Sequence, residues 1–185
     1  PLYIPKIYAL FCTRSQKFTK TTQDLIEFYK NCNITPLAII GAKSIYSGYQ
    51  HALNSVKLNP EDIIILCHDD ITHLLSPKNF LDVLIHETSR PKVGFVVVLD
   101  GLFLACRYKV LQKIDTAQPE SFPGAWDFYD IYYTFQAHQK GLNNRASPFL
   151  MVHESFGDLA GRDSWHQNKD AFVNKYSGYL PREIT

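Results

Sequence analysis

The sequence predicts an α/β fold, a mixed, mostly parallel central sheet flanked by helices, in a single domain over residues 1–185. Three observations predict it. Short β-branched apolar runs recur at Lys6–Cys12, Pro36–Ile40, Ile63–Cys67 and Val93–Leu99, and each is too short for a helix and bounded by turn residues. Segments with helical apolar spacing lie between them, and such alternation implies parallel strands with helices on both sides. Finally, Ile63-Ile64-Ile65-Leu66 is four aliphatics in a row, the signature of a strand covered on both faces.

Lys6–Cys12 is a first strand that opens into Thr13-Arg14-Ser15. Thr22–Tyr29 is a helix with Leu25, Phe28 and Tyr29 on one face and Thr21 or Thr22 as its N-cap. Pro36–Ile40 reads as a buried strand closed by Gly41-Ala42, and a second helix starts near Ser44 with Tyr46, Tyr49, Leu53 and Val56 facing the core. Pro60-Glu61-Asp62 turns the chain into the aliphatic strand. Pro77–His86 is a helix through Phe80, Leu81, Leu84 and Ile85, followed by the strand Val93–Leu99. Gly101 falls where the backbone must turn or approach a ligand. Tyr108–Ile114 is a short helix, Pro119–Ala125 a loop, and a helix begins near Asp127 with that residue as N-cap. Gly141 ends it, Phe149–Val152 is a last strand, and Asp163–Tyr179 is a helix that packs on the core or lids the site.

Composition limits the function. Formal net charge is +1, which offers no case for nucleic acid or a polybasic membrane anchor. No apolar run reaches the length of a membrane span and no signal peptide is visible. The four cysteines, Cys12, Cys32, Cys67 and Cys106, form no CxxC pair, which fits a reducing, cytoplasmic setting. A chain opening on Pro1 is expected to be trimmed or excised, with further domains of a longer chain as partners.

The polar residues fall at strand ends. His68-Asp69-Asp70 closes the aliphatic strand, where open α/β sheets bind ligands. Two adjacent carboxylates repel unless a cation or water intervenes, and a divalent metal is one such cation. Taken alone, the pair reads more simply as a cap with a solvated neighbour. Arg14 follows the first strand and can fork onto phosphate, although a single arginine there is most often an ordinary surface residue. With the small-residue gap at Gly41-Ala42, these strand ends would form one edge suited to a metal-bridged nucleoside diphosphate. Neither GxGxxG nor GxxxxGK[ST] is present. Asp127 and Asp130 are three residues apart and would share a face at a helix start. His153 ends the last strand.

In this order, Thr13-Arg14, His68-Asp69-Asp70, the glycine-aromatic segment at Gly101, the aromatic-Asp helix start and the strand ending in His153 resemble the nucleotide-sugar glycosyltransferases of the GT-A fold, inverting family-2 type. The resemblance implies a Rossmann-like GT-A domain. Its nucleotide-binding half would span about residues 1–100 and its acceptor half about 101–185. His68-Asp69-Asp70 stands in place of the DxD motif. His68 replaces the first aspartate, so Asp70 carries the metal role and Asp69 faces ribose or sugar. His153 corresponds to a second metal ligand, Asp130 to the general base, and Asp127 remains a rival for that role. Thr13, Arg14, Ala42, Ser44, His68, Asp69, Asp70 and Gly101 would surround the nucleotide sugar. Trp126 and Tyr129 would meet the acceptor, with Phe128 and Tyr132 stacking nearby or serving the core. The implied cofactor is Mn²⁺ or Mg²⁺, the mixed O/N ligand set favouring Mn²⁺. The implied partners are a nucleoside-diphosphate sugar, with uridine the expected base, and a glycan acceptor. Two other classes remain: a sugar-phosphate nucleotidyltransferase, disfavoured because Thr13–Lys17 contains no glycine, and a non-catalytic sugar-binding domain.

Overall fold

The computed structural model describes residues 3–98, 101–154 and 163–180. In chain order these form β1 (Ile7–Thr13), α1 (Lys20–Asn31), β2 (Thr35–Ile40), α2 (Ile45–Asn54), β3 (Ile63–Cys67), β4 (Ile71–His73), α3 (Pro77–Thr88), β5 (Val93–Val98), β6 (Phe103–Arg107), α4 (Tyr108–Leu111), α5 (Tyr129–Gln139), β7 (Asn143–Ala146), β8 (Met151–His153) and α6 (Asp163–Tyr176). Leu99, expected to end the strand from Val93, lies outside the described residues.

Six strands make the central sheet in the order β2-β1-β3-β6-β5-β7. The pairs β1–β2, β1–β3 and β5–β7 are parallel, while β6 runs antiparallel to both neighbours. The expected mixed, mostly parallel sheet is thus present. Because side chains alternate across a strand, β1 sends Tyr8, Leu10 and Cys12 to a core with α2 and α5. It sends Ile7, Ala9 and Phe11 to a second core against α1 and α3. This double covering is why β3 is buried at every position. β2 is corrected from a buried to an edge strand, with both ends exposed and its middle only half-buried.

Helix starts depart from expectation in two places. Thr19, not Thr21 or Thr22, caps α1 by accepting from the Thr22 amide. Before α5, Asp127 is no cap. Phe128 occupies that position at φ 72° with no side-chain cap bond. A left-handed non-glycine residue costs about 1–2 kcal/mol. Burial offsets it, since the Phe128 ring lies against Phe122, Trp165 and Phe172. α6 holds this turn from outside. The buried Asn168 amide exchanges bonds with Gly124, accepting from its N–H at 2.8 Å and donating to its carbonyl at 2.9 Å. It also donates to the Asp127 carbonyl at 3.2 Å. α6 therefore packs on the core rather than acting as a separate flap.

β4 pairs antiparallel with β8 in a small second sheet. Its inward residue His73 sits among aromatics, stacked on Phe28 at 4.7 Å with Phe80 at 4.6 Å, and its Nε2 is 2.9 Å from the Tyr29 hydroxyl. Burial pushes the imidazole pKa down to about 4 from 6.5. The unfolded chain therefore binds a proton that the folded chain refuses between those pH values. The contribution of neutral His73 is complete above the unfolded value and drains as pH falls towards about 4, by at most about 3 kcal/mol. Denaturant unfolding at pH 7.0 and pH 4.5 should show a smaller acid loss for His73→Phe than for the wild type. Equal losses would overturn the assignment.

Candidate functional site

The site forms where β3 ends. The His68 N–H donates to the Leu102 carbonyl at 3.0 Å, and the Asp69 carbonyl accepts from the Thr22 hydroxyl at 3.0 Å. The loop is thereby pinned to Leu102, just before β6, on one side and to α1 on the other. β4 then leaves antiparallel to β8, with Ile71 opposite His153, and the Glu154 N–H donates to the Asp70 carbonyl at 2.9 Å. That pairing carries His153 to the end of β3.

Three side chains converge there. His153 Nε2 is 3.2 Å and His68 Nδ1 is 3.8 Å from Asp70 Oδ1. One ligand atom from each of His68, Asp70 and His153 lies within 4.8 Å of the others. Donors bound at 2.0–2.2 Å around one cation stand about 3 to 4.3 Å apart, so small rotamer adjustments fit the cluster to a divalent ion. Two imidazoles and a carboxylate suit a borderline cation better than Mg²⁺, which prefers oxygen and octahedral water. The structure thus brings together Asp70 and His153, the two residues to which the family resemblance gives a metal role. His68, expected beside the nucleotide, lies in the cluster. The signal for it was a histidine two residues before Asp70, because the bend at Asp69 and Asp70 between β3 and β4 folds that short span onto itself.

Asp69 faces the other way. Burial pushes its carboxyl above the ordinary range, with the Thr13 hydroxyl bond opposing, the Asp70 charge adding to the rise and the Arg14 charge opposing. Thr13 is buried, and its Oγ1 accepts from the Ser15 N–H at 3.0 Å. Its carbonyl accepts from the Ala42 N–H at 3.2 Å, which joins the turns after β1 and β2. Arg14 is exposed and lies 4.5 Å over the ring of half-buried Trp126, a cation–π contact. Thr13, Arg14, Ala42, Asp69 and Trp126 therefore border one edge. Ser44 is buried nearby as the N-cap of α2, with its oxygen accepting from the Ser47 N–H.

Asp130 approaches from the first turn of α5. Gly101, at φ 66°, is bare beneath it, and a Cβ there would come 2.6 Å from Asp130 Oδ2. Asp130 is half-buried. Asp127 is 7% exposed, and its Oδ2 accepts from the Ser164 hydroxyl at 2.8 Å. The expectation that Asp127 and Asp130 share a helical face is corrected, because Asp127 precedes the left-handed Phe128 and turns inward to α6. Tyr129, expected against an acceptor, is also corrected. It is 3% exposed, its ring meets Tyr49 edge-on at 5.6 Å, and its hydroxyl donates to the Gly101 carbonyl at 2.6 Å. Phe128 and Tyr132 are core residues as well, which leaves Trp126 as the aromatic of this group beside the strand ends.

No family model and no curated protein matches the sequence. Among solved structures, the chain is similar to a glycosyltransferase involved in the glycosylation of the major capsid of PBCV-1. The TM-score is 0.50 at 11% identity, covering 91% of this chain and 100% of that one. At that identity the likeness carries the architecture, and this chain has the fold of a glycosyltransferase.

Proposed function

We propose that the protein is an inverting, metal-dependent glycosyltransferase of the GT-A, family-2 type. It would move a sugar from a nucleoside-diphosphate sugar, with UDP the expected nucleotide, to a hydroxyl of a glycan acceptor. The convergence of His68, Asp70 and His153 beside the Asp69–Thr13–Arg14 edge carries the reading. The fold likeness supports it, as does the narrower resemblance of the sequence to the N-terminal glycosyltransferase domain of a multidomain chlorovirus protein.

Each residue then has a task. His68, Asp70 and His153 would hold Mn²⁺ or Mg²⁺, which when bound supplies positive charge against the diphosphate oxygens. Arg14 adds a cation to the same oxygens, with its guanidinium plane set by Trp126. Asp69 accepts hydrogen bonds from ribose or sugar hydroxyls. Asp130 takes the proton from the acceptor hydroxyl. As that proton leaves, the acceptor oxygen bonds to the anomeric carbon and the bond to the diphosphate breaks on the opposite face. A single displacement inverts the anomeric centre, and a placed base is worth about 10²–10⁴ in rate.

Calorimetric titration with UDP, in Mn²⁺ and again in EDTA, tests the reading. Binding is expected with the metal and a large loss without it. If UDP, GDP and dTDP all fail to bind with Mn²⁺ or Mg²⁺ present, the assignment is wrong.

A further inference from the structure

A second concavity lies at the opposite end of the sheet. It encloses about 410 Å³, and its walls include Arg90, Lys92, Arg107, Lys109 and Lys113, with Glu61 the only carboxylate among the described residues that line it. Ile63, the first residue of β3, pairs with Arg107, whereas Cys67 at the other end leads into His68. At about 3.3 Å per residue, the length of β3 puts roughly 13 Å of strand between this basic cavity and the metal cluster. The cavity is therefore no extension of that site.

The arrangement is pre-ordered. Arg107 donates from Nη1 to the Glu61 carbonyl at 2.7 Å, from Nη2 to the Ser89 hydroxyl at 2.7 Å and from Nε to the Thr88 carbonyl at 3.4 Å. All three partners are neutral, so the guanidinium is fixed without being neutralised. A guanidinium carries five N–H donors, and two of them remain. Lys109 pairs with Glu61 at 2.7 Å, and Arg90 pairs with Glu87, while its buried Nε makes no hydrogen bond. Lys92 and Lys113 are exposed, and neither ammonium is engaged by a carboxylate among the described residues. Like charges held together at a recess repel one another, and a multiply charged anion reverses that sign.

Chain-wide charge makes the concentration meaningful. The 185 residues balance 19 cations against 18 carboxylates, yet among the described residues five cations and one carboxylate line this cavity, and even with Glu87 paired to Arg90 from outside it the excess is positive. The volume falls within the range of small-ligand sites, on the order of 300–1,000 Å³. A recess of this kind fits a compact ligand better than a membrane plane or a duplex.

We propose that this cavity is a second binding site, for a small phosphorylated ligand carrying at least two negative charges. Lys92 and Lys113 act as point charges there, and Arg107 provides the fixed fork. The site works without the metal cluster.

Inorganic pyrophosphate is the probe, titrated in EDTA so that no divalent ion can recruit it to the other site, with amide NMR shifts followed residue by residue. Saturable shifts are expected at residues 88–93 and 107–113. Affinity should fall at least tenfold in Lys92→Gln/Lys113→Gln and stay within twofold in Asp70→Ala. A charge control, Lys57→Gln/Lys169→Gln, should also stay within twofold, since both lysines are exposed outside the cavity lining. The proposal is overturned by no saturable binding, by an equal loss in the charge control, or by a loss in Asp70→Ala alone. Binding of phosphatidylinositol-phosphate vesicles with no binding of soluble pyrophosphate would overturn it too, by moving the site to a lipid surface.

Discussion

Asp130→Asn should lower kcat by about 10²–10⁴ while the dissociation constant for UDP with Mn²⁺ stays within about twofold, since a general base acts on the acceptor and not on nucleotide binding. The expectation rests on how the carboxylate is held. The Tyr129 hydroxyl grips the Gly101 carbonyl, and Gly101 has no side chain to displace Asp130. Asparagine keeps the shape and removes the basicity. Asp127→Asn is the discriminating companion. Asp127 is tied to Ser164 and lies under α6, so its replacement should lower unfolding free energy more than turnover. If Asp127→Asn abolishes turnover with stability intact while Asp130→Asn remains active, the roles are reversed.

Asp70→Ala should weaken Mn²⁺-dependent UDP binding by more than about 100-fold, because loss of a direct ligand exceeds the 10–100-fold typical of outer-shell partners. His68→Ala should produce a clear but smaller loss. Asp70 Oδ1 is the atom both imidazoles face, at 3.2 and 3.8 Å, so its removal leaves two imidazoles with no carboxylate between them. Two imidazoles and one carboxylate also suit Fe²⁺ and Zn²⁺, and the same titrations run across a metal series would rank them. Unchanged UDP binding in Asp70→Ala, with Mn²⁺ present, would remove the cluster from the donor site.

Much of the architecture was legible because it is written in local pattern. β1 and β3 are continuous apolar runs covered on both faces, and α3 carries its stripe at helical spacing with Ser76 capping and Pro77 at its start. What escaped depended on partners far along the chain. β7 is Asn143-Asn144-Arg145-Ala146, exposed at every position, and only its pairing with β5 makes it a strand. β4 is three residues long and exists through β8. Asp127 looked like a cap because capping chemistry is local, while Ser164 and Asn168, which hold it, arrive from α6. The candidate metal centre was half legible. Asp70 and His153 stood at strand ends, but His68 was read through a motif in which an aspartate fills its place. Tyr129 misled because an aromatic beside a carboxylate suits a sugar and a core equally well, and only burial separates them.

The β4–β8 ladder has three residue pairs, and Thr72 and Val152 on its outer side are exposed. It is the sole β-pairing that carries His153 to Asp70 among the described residues, whereas His68 and Asp70 belong to the loop leaving the central sheet. Short ladders open more readily than core strands. Opening this one would dissolve the three-donor cluster without unfolding the six-stranded sheet. Any affinity of this cluster for an ion would then be the affinity of the closed ladder multiplied by the fraction of molecules in which it is closed. By the same linkage a bound ion would draw the ladder shut. Substitutions at Thr72 or Val152, which donate nothing to the metal, would thus tune its retention by changing how often the third donor is present.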